Sequence, residues 1–385
     1  MGKFYFIDTE LEERRAKNRL RWLRTVSPGT GPEVEMDGRL QIVFCSNDYL
    51  GLSRHPGLKE RAAAYVERFG VGATASRLIC GNLPCFDPVE EKLAGLKGTE
   101  SALIFNSGYQ ANISLLPALT DRQSLILSDR LNHNSLIMGS LLSRCRVIQF
   151  RHNDLSHLEL LLKENRNAGY SRIVIATESV FSMDGDTSDI DGLVALSRNF
   201  DAILMVDEAH ATGVLGPRGM GRCCGKGVDL VMGTFGKGFG SFGAYIACSA
   251  KMREYMINCC SGFIFSTGLP PAVLGAVDAA LDLIPRMDDV RTGLHARADR
   301  LRKKLREMGW STGQSTTQIV PVLVGSDRDA LELSGFLEER GILASAIRPP
   351  TVPEGESRIR ISVTALHTDA HLNRLTEAFR AWEER

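Results

Sequence analysis

Lys237 stands between two glycines in the run Gly233-Thr234-Phe235-Gly236-Lys237-Gly238. A lysine amine is the side chain that forms a Schiff base with a carbonyl compound. About thirty residues upstream come Asp207 and, three positions later, His210; about thirty before those comes Glu178-Ser179. Each group follows a short apolar run that reads as a strand, at 173–177, 202–206 and 230–233. In parallel α/β sheets the carboxyl ends of the strands form the ligand crevice, so three runs deliver their polar residues to one edge. A carboxylate, an imidazole, a hydroxyl and an amine suit an aldehyde cofactor that carries a pyridine ring and a phosphate. The amine binds the aldehyde, and the carboxylate keeps the ring nitrogen protonated, so the ring withdraws electrons from a bound amino acid. His210 suits the ring's phenolic oxygen, and Gly236 and Gly238 leave room for close approach to Lys237.

Two other segments fit the same cofactor. Asn106-Ser107-Gly108-Tyr109-Gln110-Ala111-Asn112 follows a strand at 102–105 and opens a helix at 110–119, and amides at a helix N-terminus attract phosphate. His133 follows a strand at 124–127 and is placed to cover a flat ring. Taken singly, the first is also an ordinary strand–helix turn and the second an ordinary loop histidine. The case rests on their combination.

These residues need a scaffold, and the chain spells one. Short apolar runs at 102–105, 124–127, 146–150, 173–177, 202–206, 230–233 and 244–248 alternate with helical periods such as 110–119 and 155–164. That alternation predicts an α/β fold, a mostly parallel sheet with helices on both faces. Before it, 11–24 reads as a charged helix docked by Leu20, Trp22 and Leu23, and 33–44 as a hairpin turning at Asp37-Gly38. After it, one long helical stretch at 272–308 leads into a smaller α/β domain with a strand at 318–322, a helix at 327–340, a strand at 358–363 and a helix at 369–384. The expected domains are 1–46, an N-terminal helix and hairpin; 47–275, the large domain; and 276–385, the small one.

Several other chemistries are excluded. Asp207-Glu208-Ala209-His210 spells a helicase box, but no phosphate loop precedes it. Gly238 to Gly243 fits a dinucleotide fingerprint, yet the residues that follow read as a strand where that motif requires a helix. Lys plus Arg equals Asp plus Glu at 46 each, so no global positive field draws in nucleic acid. The nine cysteines include no CxxC pair, which predicts reduced thiols in a cytoplasmic setting and no metal site. No apolar stretch is long enough to span a membrane. Met1-Gly2 invites myristoylation, but Phe6 stands where that signal needs Ser or Thr.

Taken together, the motifs resemble the α-oxoamine synthases, which are pyridoxal-phosphate enzymes. The resemblance rests on Gly233 to Gly240, Val206 to His210, Asn47-Asp48-Tyr49-Leu50-Gly51-Leu52, Ser107-Gly108-Tyr109, Asp129 to His133, Ser182-Met183-Asp184-Gly185-Asp186 and Phe265-Ser266-Thr267. It runs from about Leu11 to the end; Gly72-Ala73-Thr74-Ala75-Ser76-Arg77 departs from the family's more Gly- and Ser-rich loop. The resemblance implies the aspartate-aminotransferase fold (fold type I) and a homodimer with active sites at the subunit interface. It makes Lys237 the Schiff-base lysine, Asp207 the partner of the pyridine nitrogen, and His133 the residue stacked on the ring. Glu178, Ser179, His210, Gly108, Tyr109 and Thr234 would also hold pyridoxal 5'-phosphate, with Thr267 reaching the phosphate across the dimer. Arg348, with Asn47, would hold the amino-acid carboxylate, while Arg21 and Thr351 touch the acyl substrate. Arg21 shares its segment with Arg14, Arg15, Arg19 and Arg24, for which a solvated basic face is the alternative.

Within the family, Ala346-Ile347-Arg348-Pro349-Pro350-Thr351-Val352-Pro353 is similar to the biotin-pathway member, which joins L-alanine to pimeloyl-CoA or pimeloyl-acyl carrier protein. The alternatives are siblings acting on glycine or serine with acetyl, succinyl or palmitoyl groups, an aminotransferase, and a non-catalytic subunit.

Overall fold

The computed structural model describes residues 3–385, so Met1-Gly2, the candidate lipidation site, lies outside the described residues. The chain forms two units. The larger comprises Asn47–Ser182 and Asp186–Thr292; the smaller comprises residues up to Ser46, Met183–Gly185 and Gly293–Arg385.

Seven strands make the sheet of the larger unit, in the order Ser101–Phe105, Ala244–Cys248, Leu230–Thr234, Ile203–Asp207, Ile173–Glu178, Leu125–Asp129, Arg146–Phe150. Ala244–Cys248 runs antiparallel to both neighbours, and the five strands beyond it pair in parallel. Continuous apolar runs suit such strands because both faces are buried. Leu103, Ile126, Val174, Met205, Leu230 and Ile246 pack with Ala111 and Leu115 of the helix Gly108–Leu119. Their alternates, including Ile175, Leu204, Val231 and Tyr245, are buried as well.

A fully buried ion pair ties together parts of this unit that are distant in sequence. Lys97 ends the helix Phe86–Lys97 and donates to Glu208 Oε2 at 2.6 Å and to Met220 O at 2.7 Å. Glu208 Oε1 accepts from the Cys223 amide at 2.8 Å. The two side chains are 1% and 0% exposed. Glu208, second letter of the apparent helicase box, is thus committed to the interior.

Beside the strand end at Asp129, His152 bridges two carboxylates, with Nδ1 2.9 Å from Asp129 Oδ1 and Nε2 2.8 Å from Asp186 Oδ2. Burial alone would lower its pKa, but Asp129 and Asp186 outweigh burial and push it up from 6.5 to about 10. A group whose folded pKa is raised stabilises the fold fully below its unfolded value, and that contribution fades as pH climbs through the folded value. We therefore expect the thermal midpoint of the wild type to fall more steeply between about pH 6.5 and pH 10 than that of His152→Gln. Parallel slopes for the two proteins would refute the clamp.

In the smaller unit, Glu33–Met36 and Arg39–Val43 form the expected hairpin, with Asp37 and Gly38 at positive φ in its turn. Ser27–Pro28 and Ile342–Leu343 complete a four-stranded sheet around it. A second sheet joins Ile319–Gly325, Ser357–Ser362 and Ser345–Ile347. The buried Arg358 on its central strand pairs with Asp184 at 2.5 Å and Glu356 at 3.1 Å. Gly185 O accepts from Thr317 Oγ1 at 2.9 Å, so Met183–Gly185 belongs to this unit although the flanking residues do not.

Three expectations need correction. The first helix is Tyr5–Ala16, not 11–24; the chain turns at Asn18 with φ 54°, and Trp22 and Leu23 are 69% and 102% exposed, so they dock nothing within the chain. The helical stretch 272–308 breaks at Pro285 into Pro271–Leu283, a short 3₁₀ turn and Asp288–Glu307, because proline removes an amide and crowds the preceding turn. Residues 276–292, expected to open the small domain, group with the larger unit, where Pro271–Leu283 packs on the helix Pro56–Phe69.

Candidate active site

Parallel pairing lines up the strand ends. Glu178 is the register partner of Asp207, and Asp207 of Met232. Side chains opposite one another leave the sheet on the same face, so two carboxylates enter one cavity side by side. That cavity, about 200 Å³, is lined by Glu178, Asp207, His133, His210, Thr234 and Lys237, with Gly108, Tyr109, Asn112, Ser135, Ala209 and Met232 completing the wall. It lies wholly within the larger unit.

The Lys237 loop is closed at its base. Phe235 N donates to Gly243 O at 2.9 Å, and Thr234 Oγ1 donates to the same oxygen at 2.9 Å while accepting from Gly236 N at 3.1 Å. Lys237 Nζ is 2.7 Å from His210 Nε2, and His210 Nδ1 is 2.6 Å from the buried Tyr49 hydroxyl. Tyr49 in turn reaches Asn47 Oδ1 at 3.1 Å. Gly238 does not leave room for a ligand as expected: a Cβ there would come within 2.6 Å of Thr212 O. Its smallness lets the Lys237 loop pack on the backbone at Thr212-Gly213.

Asp207 is 4% exposed and held at both oxygens, Oδ1 by the Ala209 amide at 2.8 Å and Oδ2 by Asn112 Nδ2 at 2.8 Å. Hydrogen bonds to the charged form favour a carboxylate. Its neighbour behaves differently. Burial and then the charge on Asp207 push Glu178 well above the usual carboxylate range, against the His133 amide, which donates to Glu178 Oε1 at 2.5 Å. His133 caps the helix Asn134–Leu142 through Nδ1 and keeps one side of its ring open. Desolvation, then the charge on Lys237, lower its pKa against the pull of Asp207.

Gly108 and Tyr109 start the helix capped by Ser107, whose Oγ accepts from Gln110 N at 3.2 Å. Tyr109 OH donates to Asn134 Oδ1 at 3.2 Å. Ser179 is fully buried just behind the cavity wall, and its hydroxyl has no partner among the described residues. Thr267 lies away from Lys237, beside Asn106, which donates to its carbonyl at 2.8 Å. Arg21, Arg348 and Thr351 belong to the smaller unit. There Arg348 donates to Asn18 O, and Thr351 N donates to Arg348 O at 3.1 Å. Burial, Arg21 and Arg19 all disfavour the positive charge on Arg348, outweighing Asp327. A carboxylate ligand would relieve that excess.

Asn112, Ser135 and Tyr49 were not among the candidate residues. The signal for Asn112 was available: it is the amide inside the otherwise apolar segment Ala111 to Leu119.

The cavity fits pyridoxal phosphate on its own chemistry. It combines a hydrogen-bonded carboxylate for a pyridinium, an amine for an aldehyde and helix-terminal amides for a phosphate. A seven-stranded sheet ending in such a site defines a fold type I pyridoxal-phosphate transferase. The family model for aminotransferase class I and II matches residues 39–379; the chain belongs to this family and, within it, to the α-oxoamine synthases. A Gluconacetobacter diazotrophicus protein named 8-amino-7-oxononanoate synthase is 49% identical over 381 residues, 97% of this chain and 96% of that one. A Desulfosudis oleivorans protein, provisionally given the same name, is 62% identical over 382 residues, 99% of each chain. Among solved structures, Sphingomonas wittichii serine palmitoyltransferase superposes with a TM-score of 0.92 at 27% identity, covering 99% of this chain and 98% of that one.

Proposed function

We propose that the protein condenses L-alanine with a pimeloyl thioester, of coenzyme A or acyl carrier protein, to give 8-amino-7-oxononanoate, carbon dioxide and free thiol for biotin synthesis. The carrying observation is the end-to-end identity with relatives bearing that name, 49% in the Gluconacetobacter protein. The Arg348–Thr351 segment supports the same substrates. In this reading the protein is a cytoplasmic homodimer; among the described residues no helix is long and apolar enough to cross a membrane.

When bound, the cofactor supplies an aldehyde for Lys237 and an electron-withdrawing ring. Asp207 holds the ring nitrogen protonated, and His133 covers the ring face. His210, Ser179 and Glu178 would hold the cofactor, while Gly108, Tyr109 and Thr234 would serve it or its phosphate, with Thr267 of a second subunit reaching the phosphate. Lys237 would be the base for the Cα proton, and its Nζ lies 2.7 Å from His210 Nε2. Arg348 and Asn47 fix the amino-acid carboxylate through charge-assisted hydrogen bonds. Arg21 and Thr351 bind the acyl chain.

The test pairs alanine, glycine and serine with pimeloyl-, acetyl-, succinyl- and palmitoyl-CoA, following thiol release and product mass. One methyl group is worth only about 1–3 kcal/mol in selectivity, so the thioester is the sharper discriminant. Alanine with pimeloyl-CoA is expected to give the highest kcat/KM. A higher value for glycine with acetyl-CoA would overturn the substrate assignment and leave the cofactor site standing. Turnover with an amino acid and a keto acid alone would indicate an aminotransferase.

A further inference from the structure

Two buried side chains with no role in the reading above join the predicted ring contacts to each other. Asn112 is 0% and Ser135 1% exposed. Asn112 Nδ2 is 2.8 Å from Asp207 Oδ2 and 2.9 Å from Ser135 Oγ. Ser135 Oγ is 2.7 Å from His133 Nδ1.

The direction of each bond in this chain is forced. An ionised carboxylate only accepts, so the amide of Asn112 must turn its NH₂ toward Asp207. The second hydrogen of that NH₂ then goes to Ser135 Oγ. A hydroxyl has one proton and two lone pairs, so while accepting from Asn112 it can still donate to His133 Nδ1 or accept from it, and the backbone decides between the two. The Ser135 backbone amide donates to the same nitrogen at 3.2 Å. Two donors converge on Nδ1, so it carries no proton. The Asn112 Oδ1 left over is buried and without a partner among the described residues. An orphaned buried carbonyl is a loss that an apolar residue here would avoid, which argues that the amide is kept for its NH₂.

We propose that Asn112 and Ser135 are positioning residues that hold His133 as the neutral tautomer protonated on Nε2. The charge on Asp207 sets the polarity of the chain, and the chain sets the tautomer. Protonating His133 on Nδ1 would turn two donors into clashes. The charged and titratable groups facing the ring, Asp207, Lys237 and the carboxyl of Glu178, act on its affinity for a proton from the other sides. The consequence for catalysis, a neutral ring laid over the cofactor throughout the working pH range, rests on the function proposed above. The hydrogen-bond assignment does not.

The test is ¹⁵N–¹H spectroscopy of histidine-labelled holoenzyme, with the His133 signals identified by their loss in His133→Gln. The wild type is expected to show an unprotonated Nδ1 and a protonated Nε2 from about pH 6 to about pH 9. In Asn112→Leu the Ser135 hydroxyl is released to accept, so the ring should bind a proton about tenfold more tightly, one unit in its titration. Ser135→Ala should shift it in the same direction, and Ser135→Thr should restore the wild-type pattern. Equal melting temperatures would separate positioning from simple loss of structure. A wild-type ring protonated on Nδ1 overturns the proposal without any variant, as does an unchanged His133 titration in both Asn112→Leu and Ser135→Ala. Borohydride reduction and peptide mapping of the same sample separate the two readings. A pyridoxyl label on Lys237 with the wrong tautomer fails this inference alone, whereas a label on Lys226 or Lys251 fails the assigned cofactor site.

Discussion

Asp207→Asn is expected to retain the cofactor and lose most of its turnover. Removing one preorganised electrostatic group aimed at developing charge typically costs about 10²–10³ in kcat, and the carboxylate here is what keeps the ring nitrogen charged. The structure adds a second penalty. Asp207 accepts from the Ala209 amide at one oxygen and from Asn112 at the other. An asparagine has one oxygen, so one of those donors would face its NH₂. The near-identical shape therefore hides a mismatch in polarity. Absorbance of the lysine-bound cofactor checks occupancy, and initial rates with alanine and pimeloyl-CoA check turnover. Near-native turnover with cofactor bound would place the pyridine partner elsewhere.

Lys97→Met should be the most destabilising substitution outside the cavity. Breaking one partner out of a buried pair typically costs about 3–5 kcal/mol, because a buried charge is left without compensation. That is a large share of the roughly 5–15 kcal/mol by which folded domains are stable. Glu208 would keep the Cys223 amide but lose the cation that faces it. The double variant Lys97→Met, Glu208→Gln should recover much of the loss, since the amide oxygen still accepts from Cys223 and no charge remains. Urea unfolding followed by circular dichroism measures both. If the single and double variants unfolded at the same midpoint, the pair would contribute nothing as a charge pair.

Six strands of the main sheet were legible because each is a short apolar run closed by a polar residue, as burial on both faces demands; the edge strand Arg146–Phe150 is largely exposed and showed only by its place in the alternation. The cluster of Lys237, Asp207, His210, Glu178 and His133 was legible for a related reason. Parallel pairing brings strand ends together without any knowledge of the loops. What escaped depends on partners distant in sequence. Asn112 looks like a flaw in an apolar helix until Asp207 and Ser135 are placed beside it. Glu208 reads as part of a surface motif until Lys97 arrives from more than a hundred residues away. Ile342–Leu343 and Ser345–Ile347 are too short to carry a period of their own and exist by pairing with Arg39–Val43 and Ser357–Ser362. The charges at 11–24 suggested a helix throughout, but few apolar residues there could reward helix formation past Ala16.

The pairing of Ile42 with Ile342 also sets an order of events during synthesis. The hairpin Glu33–Met36 and Arg39–Val43 leaves the ribosome well before the strand that completes its sheet. The strand that completes its sheet is made about 300 residues later, which at about 5–20 residues per second is a delay of some tens of seconds. Throughout that interval the hairpin has an unpaired edge, and an unpaired edge is a template for the wrong strand. All residues of the larger unit, which ends at Thr292, are made before that strand, so this unit can fold while the hairpin edge waits. Chaperone dependence during expression should therefore track the hairpin edge, which is covered only once Ile342–Leu343 has been made.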